Sequence, residues 1–414
     1  MQSTWHILDD LIQKQYFKKA EATLKRFLTA ELSSDDRVRG LIYRVRVRLL
    51  TGRPDDALDT LREIATKSDV INTLQIHSLL LEFEADALLT RYEMAQVGFA
   101  DRSDLMDAQS LYRQIISKFP HYENLGWIYY QLGRVCLLSG QIDHAEKHFH
   151  HALLHPSNIQ ALTALCYERL GFIAFFESRQ THKAITFLQK AIDTYPAQAS
   201  PLWLIEVHLL QSRVLRDSFT DSALEQAQKA YDIAQKFDNK TLLTDALFAM
   251  AEITHHHRHN PAKVIDYLQL FIQTKKAPAG INVTWSRVYE MLADAHFALQ
   301  DYEQAIQAYE HVFHFNPDYP WEEHIQYQIA CSHYQAGAYR RVIEIIQPLL
   351  PEDIESPDKL TDYHNFYNVL GNAYFATQQY TSALEAYDIA LSTAPAGKDT
   401  RQLEASYHQS LELK

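Results

Sequence analysis

The residue type most able to do chemistry in this chain is histidine, which occurs 21 times and is bunched in two places. In His144–His155 (HAEKHFHHALLH), His144 and His148 stand four apart, and His148, His151 and His155 share one face of any helix formed there. Imidazoles at that spacing can hold zinc, which takes nitrogen, thiolate or carboxylate ligands in a tetrahedron. No cysteine or carboxylate completes the set, because Glu146 falls elsewhere on the helical wheel. The second run, Thr254–Asn260 (THHHRHN), falls at an expected turn, where polar side chains are ordinary. Both runs are therefore read as solvated histidines able to tune binding with pH, with no metal site. Cys136, Cys166 and Cys331 are odd in number and far apart in sequence, which suits free core thiols in a reducing compartment. No phosphate-cradling glycine loop, nucleophile elbow or HExxH pattern occurs, so no catalytic residue and no cofactor is expected, and the chain is not read as an enzyme.

Charge offers a second kind of chemistry. The segment RVRGLIYRVRVRLL places Arg39, Arg44, Arg46 and Arg48 on one short helix. A guanidinium captures carboxylate or phosphate through two parallel hydrogen bonds, so an acidic ligand segment is expected at this end of the chain. Arg44 and Arg48 fall at positions that usually pack, where acidic neighbours can use them instead. The whole chain carries a formal charge of −13, which argues against non-specific nucleic-acid binding. The N-terminal MQSTWHILDDLIQ has neither a basic region nor an apolar core, and no run of eighteen apolar residues exists to span a membrane. The expectation is a soluble cytoplasmic protein with neither nucleic acid nor membrane as partner; its oligomeric state is not encoded in any pattern.

The elements that must position these residues are helical and repeated. Residues 294–317 and 372–395 superimpose, with Ala305 on Ala383, Tyr309 on Tyr387, Val312 on Ala390 and Pro317 on Pro395. Small residues recurring at fixed places let two helices approach closely, large ones fill the gaps, and the proline ends the second helix. The pattern resembles the tetratricopeptide repeat (TPR), a helix–turn–helix unit of about 34 residues. The clearest units are 126–159, 164–198, 286–319 and 364–397, the second with one extra residue in its turn. Weaker ones are 1–34, 38–71, 75–122, 204–237, 243–276 and 323–356; the third contains an irregular insertion at 93–104, and Pro348 shortens the last helix of the ninth. Residues 399–414 form a helix polar on one face, as a stack of repeats needs at its end. The resemblance implies an all-α solenoid, a right-handed superhelix of about ten repeats from 1 to 398 with a C-terminal capping helix, and a concave groove lined by the first helix of each pair.

In that family ligands lie in the groove, and positions 2, 5, 9 and 12 of each first helix face it. Transferred to this chain, the groove residues are Arg39, Arg46, Trp127, Tyr130, Arg134, Glu168, Phe172, Phe175, Glu252, Asp294, Tyr327, Tyr334, Asn368 and Asn372, with Phe248, Glu290, Phe297 and Phe375 beside them. Aromatic and arginine side chains on such a face are typical binding anchors, although packing between neighbouring helices would also explain half of them. Arginines come early and carboxylates late along the groove. The clamp by which some TPR proteins hold an acidic C-terminal tail needs lysine at position 5 and asparagine at 9; here Asn372 is preceded by Asn368, so the clamp is absent. The resemblance therefore implies a non-enzymatic scaffold or adaptor that binds a partner protein or peptide in its groove. The alternatives are a sensor of a signalling peptide or small molecule acting through a separate effector, since the repeats leave no room for one here, or an accessory subunit of a larger enzyme complex.

Overall fold

The computed structural model describes residues 2–14, 16–66, 74–95, 101–197, 199–257, 260–350, 363–395 and 397–414. These fall into two units, Met1–Pro201 and Leu202–Lys414. The first contains α1 (Gln2–Gln13), α2 (Phe17–Leu28), α3 (Ser34–Leu50), α4 (Pro54–Ala65), α5 (Leu74–Met94), α6 (Arg102–Lys118), α7 (Leu125–Leu138), α8 (Ile142–Ala152), α9 (Leu162–Phe172) and α10 (Thr181–Thr194). The second contains α11 (Leu202–Leu215), α12 (Thr220–Lys236), α13 (Lys240–His256), α14 (Pro261–Thr274), α15 (Val283–Ala298), α16 (Tyr302–Phe315), α17 (Glu322–Gln335), α18 (Tyr339–Ile346), α19 (His364–Ala376), α20 (Tyr380–Ser392) and α21 (Arg401–Leu413). Within each unit every helix packs on the next, and several successive odd-numbered helices also touch, as α5 does α7 and α13 does α15. Each unit is thus an all-α stack of helix pairs, and α21 closes the second by packing on α20. No described helix is long and apolar enough to cross a membrane.

The pairs close because one helix contributes a residue with no side chain where its partner contributes a ring or a leucine. A Cβ added at Gly133 would meet the Phe149 ring at 2.7 Å, at Gly171 the Leu188 side chain at 2.8 Å, and at Gly371 the Tyr387 ring at 2.6 Å. All three large partners are buried, at 0%, 0% and 1% exposure. The pairing of smallest with largest lets α7 meet α8, α9 meet α10 and α19 meet α20 at short range. The turns between paired helices repeat as well: Gly52, Gly140 and Gly337 adopt φ of 65°, 73° and 78°, the left-handed conformation in which glycine costs least.

Two local departures from the expected pattern have structural causes. The extra residue of the fifth repeat is taken up inside its first helix, where α9 continues as a π-helical turn over Ile173–Glu177 before Thr181 opens α10. At the end of α18, Pro348 sits in a 3-10 turn, Gln347–Leu349, so that helix stops at Ile346. The insertion read at 93–104 lies partly outside the described residues, which omit 96–100.

Start points are fixed by side-chain caps. Asn282 accepts from the Trp285 N–H at 3.1 Å to open α15, while its own N–H donates to the Phe315 carbonyl at 2.7 Å. That pair of bonds ties the start of α15 to the end of α16. In the first unit, the Gly126 N–H donates to the Pro156 carbonyl at 2.7 Å and does the same for α7 and the segment after α8.

A candidate recognition site over Asp294

One arrangement recurs on three of the odd-numbered helices. Two polar residues stand four apart: Glu82 and Asp86 on α5, Glu290 and Asp294 on α15, Asn368 and Asn372 on α19. The second of each pair accepts a tyrosine hydroxyl from the following helix. Tyr112 donates to Asp86 at 2.5 Å, Tyr309 to Asp294 at 2.6 Å, and Tyr387 to Asn372 at 2.8 Å. Ten residues after the tyrosine, a further tyrosine donates to the glutamate, Tyr122 to Glu82 at 2.5 Å and Tyr319 to Glu290 at 2.7 Å. The hydroxyls lock each helix pair to the start of the next. Asparagine suffices for the Tyr387 bond, so this lock does not itself require a charge.

In the first unit the arrangement is sealed. Trp127 of α7 lies over Asp86 and donates its indole N–H at 3.2 Å, and Gln131 donates at 3.0 Å. Asn124 donates to Glu82 at 2.8 Å. Burial, and then the neighbouring Asp86 charge, push Glu82 up to about 8; its hydrogen bonds from Tyr122 and Asn124 offset only part of this. Burial also raises Asp86 against its three donors. Two carboxyls in one dry site disfavour each other's ionisation, so both are raised, and Asp86 has the richer set of donors.

The same construction in the second unit is open. By the shared ten-residue tyrosine spacing, His324 of α17 occupies the place of Trp127, and Gln328 that of Gln131. His324 is exposed rather than folded over the carboxylate. In place of the indole lies a cavity of about 330 Å³ walled by residues of α13 to α17, with half-buried Asp294 and buried Tyr309 at its base and exposed His324 and half-buried Gln328 at its rim. Val264, Ala295, Phe297 and Ala298 supply apolar wall. Asp294 keeps a third of its side-chain surface exposed, 34%. His255 of α13 meets its other oxygen at 2.8 Å. Burial opposes ionisation of Asp294, but the hydrogen bonds from His255 and Tyr309 outweigh it and hold the carboxyl below the usual range. Below it, Glu290 pairs with Arg287 at 2.5 Å, and Glu252 with Arg216 at 3.5 Å. The cavity is therefore a preformed, partly apolar pocket with one ionised carboxylate at its base.

The other residues picked from the sequence are distributed as follows. Arg39 and Arg46 are exposed on α3, with Arg39 lying 4.7 Å over the Trp5 ring. Arg44 pairs with Glu63 at 3.9 Å, and Arg48 donates to the Asp56 carbonyl at 2.6 Å, so two of the four arginines are used internally. Tyr130 is a core side chain, 4% exposed, between Trp127 and Phe149. Arg134 is engaged by Glu93 and Gln131. Glu168 is buried and paired with Arg169 at 2.9 Å. Phe172 and Phe175 are half-buried and both pack on Phe176 at the π-helical turn. Tyr327 packs on Phe366 at 4.8 Å, and Tyr334 on Tyr339 at 5.4 Å. Asn372 donates to Asn368 at 3.3 Å. Glu252 pairs with Arg216, and Asp294 alone of the set lines the cavity.

His255, His324, Gln328 and Tyr309 lie outside the groove set that the sequence implies, yet line the cavity. His255 belongs to the run expected in a turn, but α13 continues to His256 and carries it against α15. The other histidine cluster surrounds Tyr129, which stacks on His148, His151 and His155 at 6.1, 5.2 and 4.9 Å. Burial, and then the neighbouring His151, hold His148 down to about 4. Among the described residues no group of three or more His, Cys, Asp or Glu is placed to hold a metal ion. Cys136, Cys166 and Cys331 are free thiols, two buried and one half-buried.

No curated protein sequence matches this one. Among solved structures, the apo form of RapI superimposes with a TM-score of 0.57 at 12% identity, covering 86% of this chain and 97% of that one. A signal-transduction ATPase with numerous domains and a tetratricopeptide repeat sensor, from Pyrococcus horikoshii, superimposes with a TM-score of 0.51 at 15% identity, covering 95% of this chain and 67% of that one. Both likenesses are of fold. Tetratricopeptide repeat family models match residues 38–63, 162–197, 286–319 and 364–396. Those segments include the Gly171–Leu188 and Gly371–Tyr387 pairs that close α9 on α10 and α19 on α20. The chain is a tetratricopeptide repeat protein.

Proposed function

We propose that the chain is a non-enzymatic scaffold or adaptor whose second unit receives an extended peptide segment of a partner protein along α13, α15 and α17. One observation carries this reading: the space that Trp127 fills over Asp86 stands open over Asp294 because His324 takes the tryptophan's place. A cavity of about 330 Å³ admits one or two side chains of a peptide but no helix. It is walled by helices whose mutual spacing is set by buried side chains, so little ordering is needed on binding. A peptide-responsive sensor is the second reading. The cavity's size also falls at the small end of the range for small-molecule pockets, and the P. horikoshii relative is described as carrying a repeat sensor.

His324→Trp tests the reading. The exposed position tolerates the ring, and the indole should close the cavity as Trp127 does. Peptides selected from a random 12-residue display library on the parent protein are expected to bind the variant at least tenfold more weakly in titrations by fluorescence anisotropy, with the melting temperature held. Unchanged affinity for every selected peptide would place recognition elsewhere on the molecule.

A further inference from the structure

We propose that the cavity over Asp294 accepts a lysine or arginine side chain of the bound peptide, its apolar walls taking the aliphatic stem and the carboxylate its cationic head. The inference rests on the reading above and specifies its chemistry.

Three observations support it. First, the charge at Asp294 exceeds what the fold needs. Asn372 accepts the Tyr387 hydroxyl at 2.8 Å in the same place and is neutral, so the lock between helices works without an anion. Second, the two other members of the set expose no charge of this kind: Asp86 is covered by Trp127 and Gln131, and position 372 is an amide. Asp294 presents an ionised carboxylate to open space, with Tyr309 and His255 each using one lone pair and others left to accept. Third, the surroundings suit a long amphipathic side chain. Val264, Ala295, Phe297 and Ala298 give it apolar wall against which an aliphatic stem can lie. Of the neighbouring cations, Arg287 is engaged by Glu290 and Arg216 by Glu252 and Asp217, while His255 takes only one of the two Asp294 oxygens. The net charge of −13 favours approach of a basic segment.

The test uses the full chain and peptides from the 12-residue random library, selected in parallel on the parent protein and on Asp294→Asn. The asparagine keeps the acceptor for Tyr309, as Asn372 does for Tyr387, and removes only the charge. Parent-selected peptides are expected to share a lysine or arginine in one register. Exchanging it for norleucine should weaken binding to the parent ten- to a hundredfold, and binding to Asp294→Asn by less than threefold. Peptides that lose affinity for His324→Trp yet are indifferent to norleucine would overturn the cation assignment and leave groove recognition standing. Peptides indifferent to His324→Trp, or no selected peptide at all, would overturn both. Should Asp294→Asn fold poorly, the norleucine exchange on the parent protein decides by itself.

Discussion

At pH 9 the Glu82→Gln variant is expected to unfold at a higher temperature than the parent protein, and the difference should vanish near pH 5. Glu82 is 5% exposed, and burial with the adjacent Asp86 raises it to about 8 from an ordinary value of 4.5. A carboxyl whose folded value lies above its unfolded one contributes fully below the unfolded value. Its contribution fades as pH rises through that window and is gone above about 8, because the folded protein must then ionise a group in a dry site. At about 1.4 kcal/mol per unit, the penalty reaches a few kcal/mol at alkaline pH. Glutamine mimics the protonated carboxyl: its carbonyl can accept from Asn124 while its amide donates to the Tyr122 hydroxyl, which turns to accept. Thermal melts of both proteins from pH 5 to 9 check this. Parallel curves would show that Glu82 is ionised throughout.

Truncation of Phe149 to alanine should cost about 3–5 kcal/mol, the range for deleting a fully buried ring whose cavity cannot collapse. The ring is 0% exposed and packs on Tyr130 with centroids 5.6 Å apart. It fills the space over Gly133, where no side chain exists to move in. Urea unfolding followed by far-ultraviolet circular dichroism gives the value. A loss under about 1 kcal/mol would mean that α7 and α8 re-close without the ring, contrary to the packing that defines each pair.

How much of this was legible in the sequence depends on the range of the physics involved. The pairing of Gly133 with Phe149, Gly171 with Leu188 and Gly371 with Tyr387 acts over one helical hairpin, so residue size at fixed spacing reveals it. The helical face rule selected Asp294 for the same reason. It also selected Tyr130 and Glu168, which the neighbouring helices bury, because a face pointing inward at one level of a stack is covered wherever the next helix carries a bulky residue. Glu82 and Asp86 were missed. The longer α5 and its longer connection to α6 set Asp86 and Tyr112 26 positions apart, against 15 for Asp294 and Tyr309, and hide the equivalence of the two sites. The readable signal was the ten-residue spacing that Tyr112–Tyr122 and Tyr309–Tyr319 share. Once those are aligned, Trp127 falls on His324, and the substitution that opens the cavity is visible in the sequence alone.

A bound peptide segment is expected to sit over Asp294, against α13, α15 and α17. The most direct measurement is photo-crosslinking of a library-selected peptide carrying benzoylphenylalanine beside its anchoring residue, with the attachment points mapped by mass spectrometry. Crosslinks on Phe297, Ala298, His324 or Gln328 are the predicted result, since these line the cavity and its rim. Crosslinks confined to α4, α6 or α8, with none on α13, α15 or α17, would contradict it.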